Sequence, residues 1–179
     1  MNVKKIYLLL VALFVSTTLL VSCGGGGGTD TVVVTPLDFT TLPGTWNGIW
    51  HNITFGSTGS VSIVATADIP NSTGHAVLTL GGNVFGAPAP GPVTLDCPIP
   101  PGVTTLNFSA NGTSIGDIVA TITGNGRLTA DITGIPNPLI EKVHVNGTVT
   151  SHEIDARYTV RFSAAGGGGT AEGVISVTK

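Results

Sequence analysis

Along most of this chain, apolar and polar residues alternate with a period of two. Residues 60–69, for example, place Val61 and Ile63 on one face and Ser60 and Ser62 on the other. The same alternation recurs in later segments, which are separated by turn-forming Gly, Asn and Pro. Such a pattern is typical of half-buried β-strands, whose side chains point to opposite faces in turn. The sequence therefore predicts an all-β fold.

The alternating segments predict nine strands, with a weaker tenth around 92–96. Because their connections are short, neighbouring strands should be antiparallel, since parallel strands need long crossover connections. An up-and-down meander leaves two sheet edges unpaired unless it closes, so we expect a closed barrel of about 8–10 strands. A two-sheet β-sandwich is the alternative. The nine expected strands cover residues 45–55, 60–69, 75–80, 102–109, 116–123, 127–133, 142–150, 154–163 and 170–178.

Residues 81–102 interrupt the alternation because they contain six prolines. Proline has no backbone N–H to donate to a sheet, so most of this segment is expected to be loop. Long loops in compact domains are either functional or mobile. Two roles are open: a lid over the barrel mouth that uses Val84 and Phe85, or a plug with Phe85 turned inward.

The first 22 residues differ from the rest of the chain. Lys4 and Lys5 precede an apolar run over residues 6–15, and small or apolar residues then lead to Cys23. The run is too short for a spanning helix, which needs about 20 apolar residues. It indicates a cleaved signal peptide. An uncleaved N-terminal anchor helix is the alternative.

Leu20, Val21, Ser22 and Cys23 resemble the lipobox of bacterial lipoproteins. In that family the cysteine thiol takes a diacylglyceryl group, the peptide is cut just before it, and the new amine is often acylated, for example with palmitate. The resemblance implies lipidation of Cys23 and a membrane as partner. Because Gly24 rather than aspartate follows the cysteine, it also implies the outer membrane of the cell envelope.

The expected organisation is a signal peptide over 1–22, a lipidated cysteine with a tether over 23–41, and one barrel domain over 42–179. Five consecutive glycines follow the cysteine, and such a run is flexible because it has no side chains to pack. A lipidated Cys23 leaves Cys97 as the other cysteine, without a disulfide partner. We expect Cys97 to be a small buried hydrophobe rather than a reactive thiol, because no basic residue is near it in sequence.

Gly44, Thr45 and Trp46 open the first predicted strand, and a β-meander follows. A Gly-x-Trp at this place resembles the calycin superfamily, the lipocalins in particular. The resemblance implies a lipocalin-like barrel in which Trp46 closes one end and packs against a basic residue of a late strand. Arg157 and Arg161 are the residues expected in that role, and a cation over an indole contributes about 0.5–2 kcal/mol.

Composition and motifs argue against several functions. Seven Lys plus Arg and a net charge of −3 do not suit a nucleic-acid surface. His152 and Glu153 begin a zinc-protease motif, but Ala156 stands where the second histidine is required. The four histidines share no metal-ligand spacing, and the scattered acidic residues form no convincing acid–base pair. We therefore expect no catalytic residues, no metal and no cofactor.

These observations predict a non-enzymatic module that holds a small, largely apolar ligand inside the barrel. The alternative is a structural or protein-interaction β domain of the cell envelope, with a filled core and no ligand. The same inward-facing residues would serve either purpose. They are Val61, Ile63, Leu78, Leu80, Ile118, Ile122, Leu128, Ile132, Tyr158 and Phe162.

Overall fold

The computed structural model describes residues 36–84 and 86–179, and β-strands make up most of these ranges. Two short 3-10 helices cover Phe39–Thr41 and Ala164–Gly166. These ranges contain no helix that is long and apolar enough to cross a membrane. The described strands are β1 (Gly44–Asn52), β2 (Thr58–Asp68), β3 (Thr73–Leu80), β4 (Asn83–Val84), β5 (Ala87–Pro88), β6 (Val93–Pro98), β7 (Thr105–Thr113), β8 (Gly116–Thr123), β9 (Arg127–Thr133), β10 (Ile140–Val149), β11 (Glu153–Phe162) and β12 (Thr170–Thr178).

Ten of these strands close into one barrel, and each pairs antiparallel with the barrel strands before and after it in the chain. The barrel closes where β1 pairs with β12, with Trp50 opposite Ile175. Closure satisfies the backbone hydrogen bonds that two free edges would leave open. The predicted closed antiparallel meander is confirmed, and the chain does not adopt the two-sheet alternative.

The proline-rich segment is partly loop and partly strand. β4 and β5 form a small separate hairpin, and β6 then enters the barrel between β3 and β7. The barrel tolerates β6 because Pro98 falls at its last position. Val84 is buried and packs with the core, so the hairpin is anchored over the barrel end. The predicted roles of Phe85 concern a residue outside the described ranges.

The chain just before β1 packs against the barrel. Leu37 and Phe39 lie against the core, and the Leu37 N–H donates to the Gly124 carbonyl at 2.6 Å. Asp38 caps the first 3-10 helix by accepting from the backbone N–H of Thr40. Residues 37–41 therefore belong to the folded barrel rather than to a flexible tether, because their apolar side chains cover the barrel floor. The predicted signal peptide, Cys23 and the glycine run lie outside the described residues.

Candidate ligand-binding cavity

The barrel encloses a cavity of about 610 Å³. This volume falls within the range of roughly 300–1,000 Å³ that small-molecule sites occupy. All ten barrel strands contribute to the wall. The wall includes the ten residues that the sequence offered as ligand-lining or core residues: Val61, Ile63, Leu78, Leu80, Ile118, Ile122, Leu128, Ile132, Tyr158 and Phe162.

The open interior follows from strand number and from small inward side chains. A barrel of about eight strands is just wide enough for side chains to fill it, and this barrel has ten. Six alanines also face the cavity, which keeps the wall thin where larger residues would meet at the centre. They are Ala65, Ala76, Ala120, Ala130, Ala156 and Ala171.

The two ends of the cavity differ. Leu42 and Trp46 are buried at the end where β1 begins, and they close it. At the other end two lining residues reach solvent: Phe55 is 66% exposed and Leu139 is 46% exposed. The Phe55 ring meets Phe162 edge-on, with centroids 6.1 Å apart. This second end is the mouth of the cavity, where exposed apolar side chains lie among the uncharged polar residues Ser57, Asn83 and Asn137.

Trp46 forms the floor, but the basic residue beside it was predicted incorrectly. The indole is 2% exposed, and its Nε1–H donates to the Leu42 carbonyl at 3.0 Å. The cation over the ring is Lys179, whose Nζ lies 5.5 Å from the centroid. Arg157 and Arg161 are exposed on the outer wall, because they alternate with the inward-facing Tyr158.

Lys179 also joins the two ends of the barrel chain. Its ammonium donates to the Thr41 carbonyl at 2.6 Å, and its backbone N–H donates to the His152 carbonyl at 3.0 Å. Arg161 instead pairs with Glu141 at 2.9 Å on the outer surface. The floor is therefore held by the residue that follows β12, next to the start of β1.

Two polar side chains on the inner face of β1 were not predicted. Trp50 lines the cavity and its Nε1–H donates to the Gly81 carbonyl at 2.9 Å, which ties the β4–β5 segment to the wall. Asn52 is the buried polar residue of the described core, and its Oδ1 accepts from the Phe55 N–H at 2.9 Å. Their period-two spacing from Trp46 is the sequence signal that places them inside.

Tyr158 places a hydroxyl in the wall of the barrel interior. Burial raises the pKa of Tyr158, and a side-chain hydrogen bond from Asn52 opposes the rise. The ring has room because Gly173 stands opposite Tyr158 on β12. A methyl group on Gly173 would overlap the Tyr158 ring and the His51 carbonyl.

The histidines lie outside the cavity. His75 pairs with Asp96 and His144 pairs with Asp131, each at 2.8 Å and directly opposite each other on neighbouring strands. All four side chains in these pairs are substantially exposed. Among the described residues, no group of three or more His, Cys, Asp or Glu could hold a metal ion.

Cys97 is expected to react slowly with thiol reagents in the folded protein. It is free and 2% exposed, and burial raises the pKa of its thiol, with an opposing hydrogen bond from the Asn107 backbone. Since the thiolate is the nucleophile, labelling of the Cys23→Ser chain near neutral pH should be about 100-fold slower than after unfolding. Labelling followed by mass spectrometry measures both rates. Equally rapid labelling of the folded chain would contradict this assignment.

The described residues therefore form a closed ten-stranded antiparallel barrel around a largely apolar cavity. No family model matches the sequence, and no curated protein matches it either. The chain resembles a solved structure described as EF1p2_mFAP2b bound to DFHBI, with 18% identity and a TM-score of 0.42. That match covers 78% of this chain and 94% of the other.

Proposed function

We propose that this protein is a lipid-anchored, non-enzymatic binding module of the bacterial cell envelope, whose barrel holds a small, largely apolar ligand. The observation that carries the proposal is the largely apolar cavity of about 610 Å³, closed at the Trp46 floor and open at the other end. Transfer of hydrocarbon from water into such a site is favourable by about 25 cal/mol per Å² of apolar surface buried. An empty apolar interior of this size is difficult to explain as packing alone.

The two other functions considered from the sequence receive less support. A structural domain with a filled core does not fit the unfilled interior. An enzyme would need reactive groups to converge, and the cavity wall contains no described His, Asp, Glu, Lys or Arg. The His–Asp pairs at positions 75/96 and 144/131 lie on the outer wall, where cross-strand polar pairs are common. These placements favour binding over catalysis.

Binding can be tested with an uncharged environment-sensitive dye such as N-phenyl-1-naphthylamine and the purified full chain. We expect a saturable rise in fluorescence with one dye bound per folded chain, and native mass spectrometry should show a co-purifying apolar molecule. The Cys23→Ser chain controls for uptake by the acyl anchor, and it should bind the dye equally well. If the dye does not bind saturably and no molecule co-purifies, the proposed ligand-binding function is refuted.

The anchor rests on the lipobox residues Leu20–Cys23 and on the glycine run that follows. Two or three acyl chains together give stable attachment to a membrane, which one chain does not. Gly24 after the cysteine supports the outer membrane as the destination.

The two cysteines provide a matched pair of variants for testing the anchor. Cys23→Ser should remove the acyl mass, whereas Cys97→Ser should leave the acyl mass unchanged. Intact-mass spectrometry of membrane and soluble fractions measures the outcome. Acyl chains on the Cys23→Ser chain would overturn the lipidation site.

A further inference from the structure

Deep in the cavity, two polar side chains, Tyr158 and Asn52, lie close together on an otherwise apolar part of the wall. Gly173 on β12 is paired with Tyr158 on one side and with Asn52 of β1 on the other. Because Gly173 has no side chain, the Tyr158 ring can lie across it toward Asn52. The remaining uncharged polar residues of the lining, Ser57, Asn83 and Asn137, belong to the connections near the mouth or to the short β4–β5 hairpin.

The known hydrogen bond of Asn52 indicates which groups of Asn52 and Tyr158 remain to donate. Asn52 Oδ1 already accepts from the Phe55 N–H at 2.9 Å. Its amide N–H group makes no other described bond and can donate to the Tyr158 oxygen, which lies over the neighbouring Gly173. This arrangement leaves the O–H of Tyr158 to donate to a group inside the cavity.

The rest of the wall determines which groups that O–H can meet. Every lining residue in the described part of the chain is either apolar or polar without a charge. An ionised headgroup drawn into this cavity would lose its hydration without gaining a counter-charge, which is far more costly than burying a neutral oxygen with one hydrogen bond. A carbonyl, ester or hydroxyl oxygen can accept from Tyr158 at much smaller cost.

We infer that the ligand is a neutral, hydrocarbon-rich molecule with one hydrogen-bond-accepting oxygen, which sits against Tyr158 and Asn52, and that fatty-acid anions are discriminated against. This inference rests on the proposed ligand-binding function and specifies its chemistry. The hydrocarbon lies along apolar wall residues such as Ile122 and Leu128, and the oxygen sits at the level of Gly173.

Displacement of the neutral dye by ligands with the same chain length tests the charge preference. With the full chain at about pH 8, where a carboxyl group is ionised, methyl decanoate should displace the dye at a concentration at least about tenfold lower than decanoate. Decylammonium should be as weak as decanoate. If decanoate displaces the dye at a concentration equal to or lower than that of the ester, the neutral-ligand inference is overturned and the proposed function still stands. Failure of the dye to bind would instead count against the function itself.

Tyr158→Phe tests the hydrogen bond separately from packing, since it keeps the ring across Gly173 and removes the hydroxyl. We expect affinity for methyl decanoate to fall by about tenfold, while affinity for decane stays unchanged. Thermal unfolding of the variant checks that the barrel persists. Equal losses for ester and alkane would show that Tyr158 is only a packing residue and would refute its role as the polar anchor.

Discussion

Replacing Ala120 with tryptophan is expected to abolish ligand binding while the barrel remains folded. Ala120 on β8 faces the cavity, and its neighbours across the two adjacent strands are Phe108 and Ala130. An indole placed there extends into open space rather than into packed atoms, so it avoids the cost of about 1–3 kcal/mol that overpacking usually carries. It occupies the volume that a ligand would use. We expect the affinity for the neutral dye to fall by at least about 100-fold.

The adjacent residue offers a matched control. Val119 is on the same strand but points outward and is 59% exposed, so Val119→Trp adds the same bulk to the opposite face. Dye titration should show normal binding for Val119→Trp and none for Ala120→Trp, with thermal unfolding near that of the parent for both. Unchanged binding by a folded Ala120→Trp chain would place the ligand outside the barrel.

Period-two alternation assigns each residue of a barrel strand to the inner or the outer face. In a closed barrel every strand has one face inside, so an apolar residue in an alternating segment is assigned to the interior by parity alone. This is why residues as distant in sequence as Val61 and Phe162 both lie in the cavity wall. Parity also puts Arg157 on the outer wall, in conflict with the role that the family resemblance implied for it.

Whether the interior is filled or empty could not be read from the same residues. Leu78 or Ile122 would face inward in either case, and the volume between them depends on how many strands close the barrel. The number of strands depends on whether β6 joins the barrel, and β6 is short and lies in a proline-rich segment. With β6 included the barrel has ten strands, and small residues such as Ala120 and Ala130, paired side by side on β8 and β9, leave open space in front of them.

Contacts that depend on strand register were also missed. Tyr158 reaches toward Asn52 because Gly173 stands between them, and this requires the register of two separate strand pairs. Lys179 meets Trp46 because the last barrel strand pairs with the first. Local alternation carries no information about either pairing, since it repeats unchanged when a strand shifts by two residues.

Trp46→Ala is expected to cause the largest loss of stability, about 3–5 kcal/mol, which is typical of removing a buried aromatic side chain. The indole fills the floor at 2% exposure, holds the Leu42 carbonyl through its N–H, and lies under the Lys179 ammonium. Its removal loosens the segment before β1 and the end of β12 together. Urea unfolding of the Cys23→Ser chain, with and without the substitution, measures the difference.

Two further variants separate the contributions of Trp46. Trp46→Phe keeps an aromatic ring but loses the N–H bond to the Leu42 carbonyl. We expect the lost hydrogen bond to lower the free energy of unfolding by about 1 kcal/mol, and the packing loss to be smaller than for Trp46→Ala. Lys179→Met should destabilise the parent more than it destabilises Trp46→Ala, because the variant has already lost the ring that the ammonium contacts. Equal effects in both backgrounds would mean that Lys179 acts through its bond to the Thr41 carbonyl alone. A decrease of less than about 1 kcal/mol in the free energy of unfolding of Trp46→Ala would contradict the assignment of Trp46 as the barrel floor, because removal of a fully packed indole is more destabilising than that.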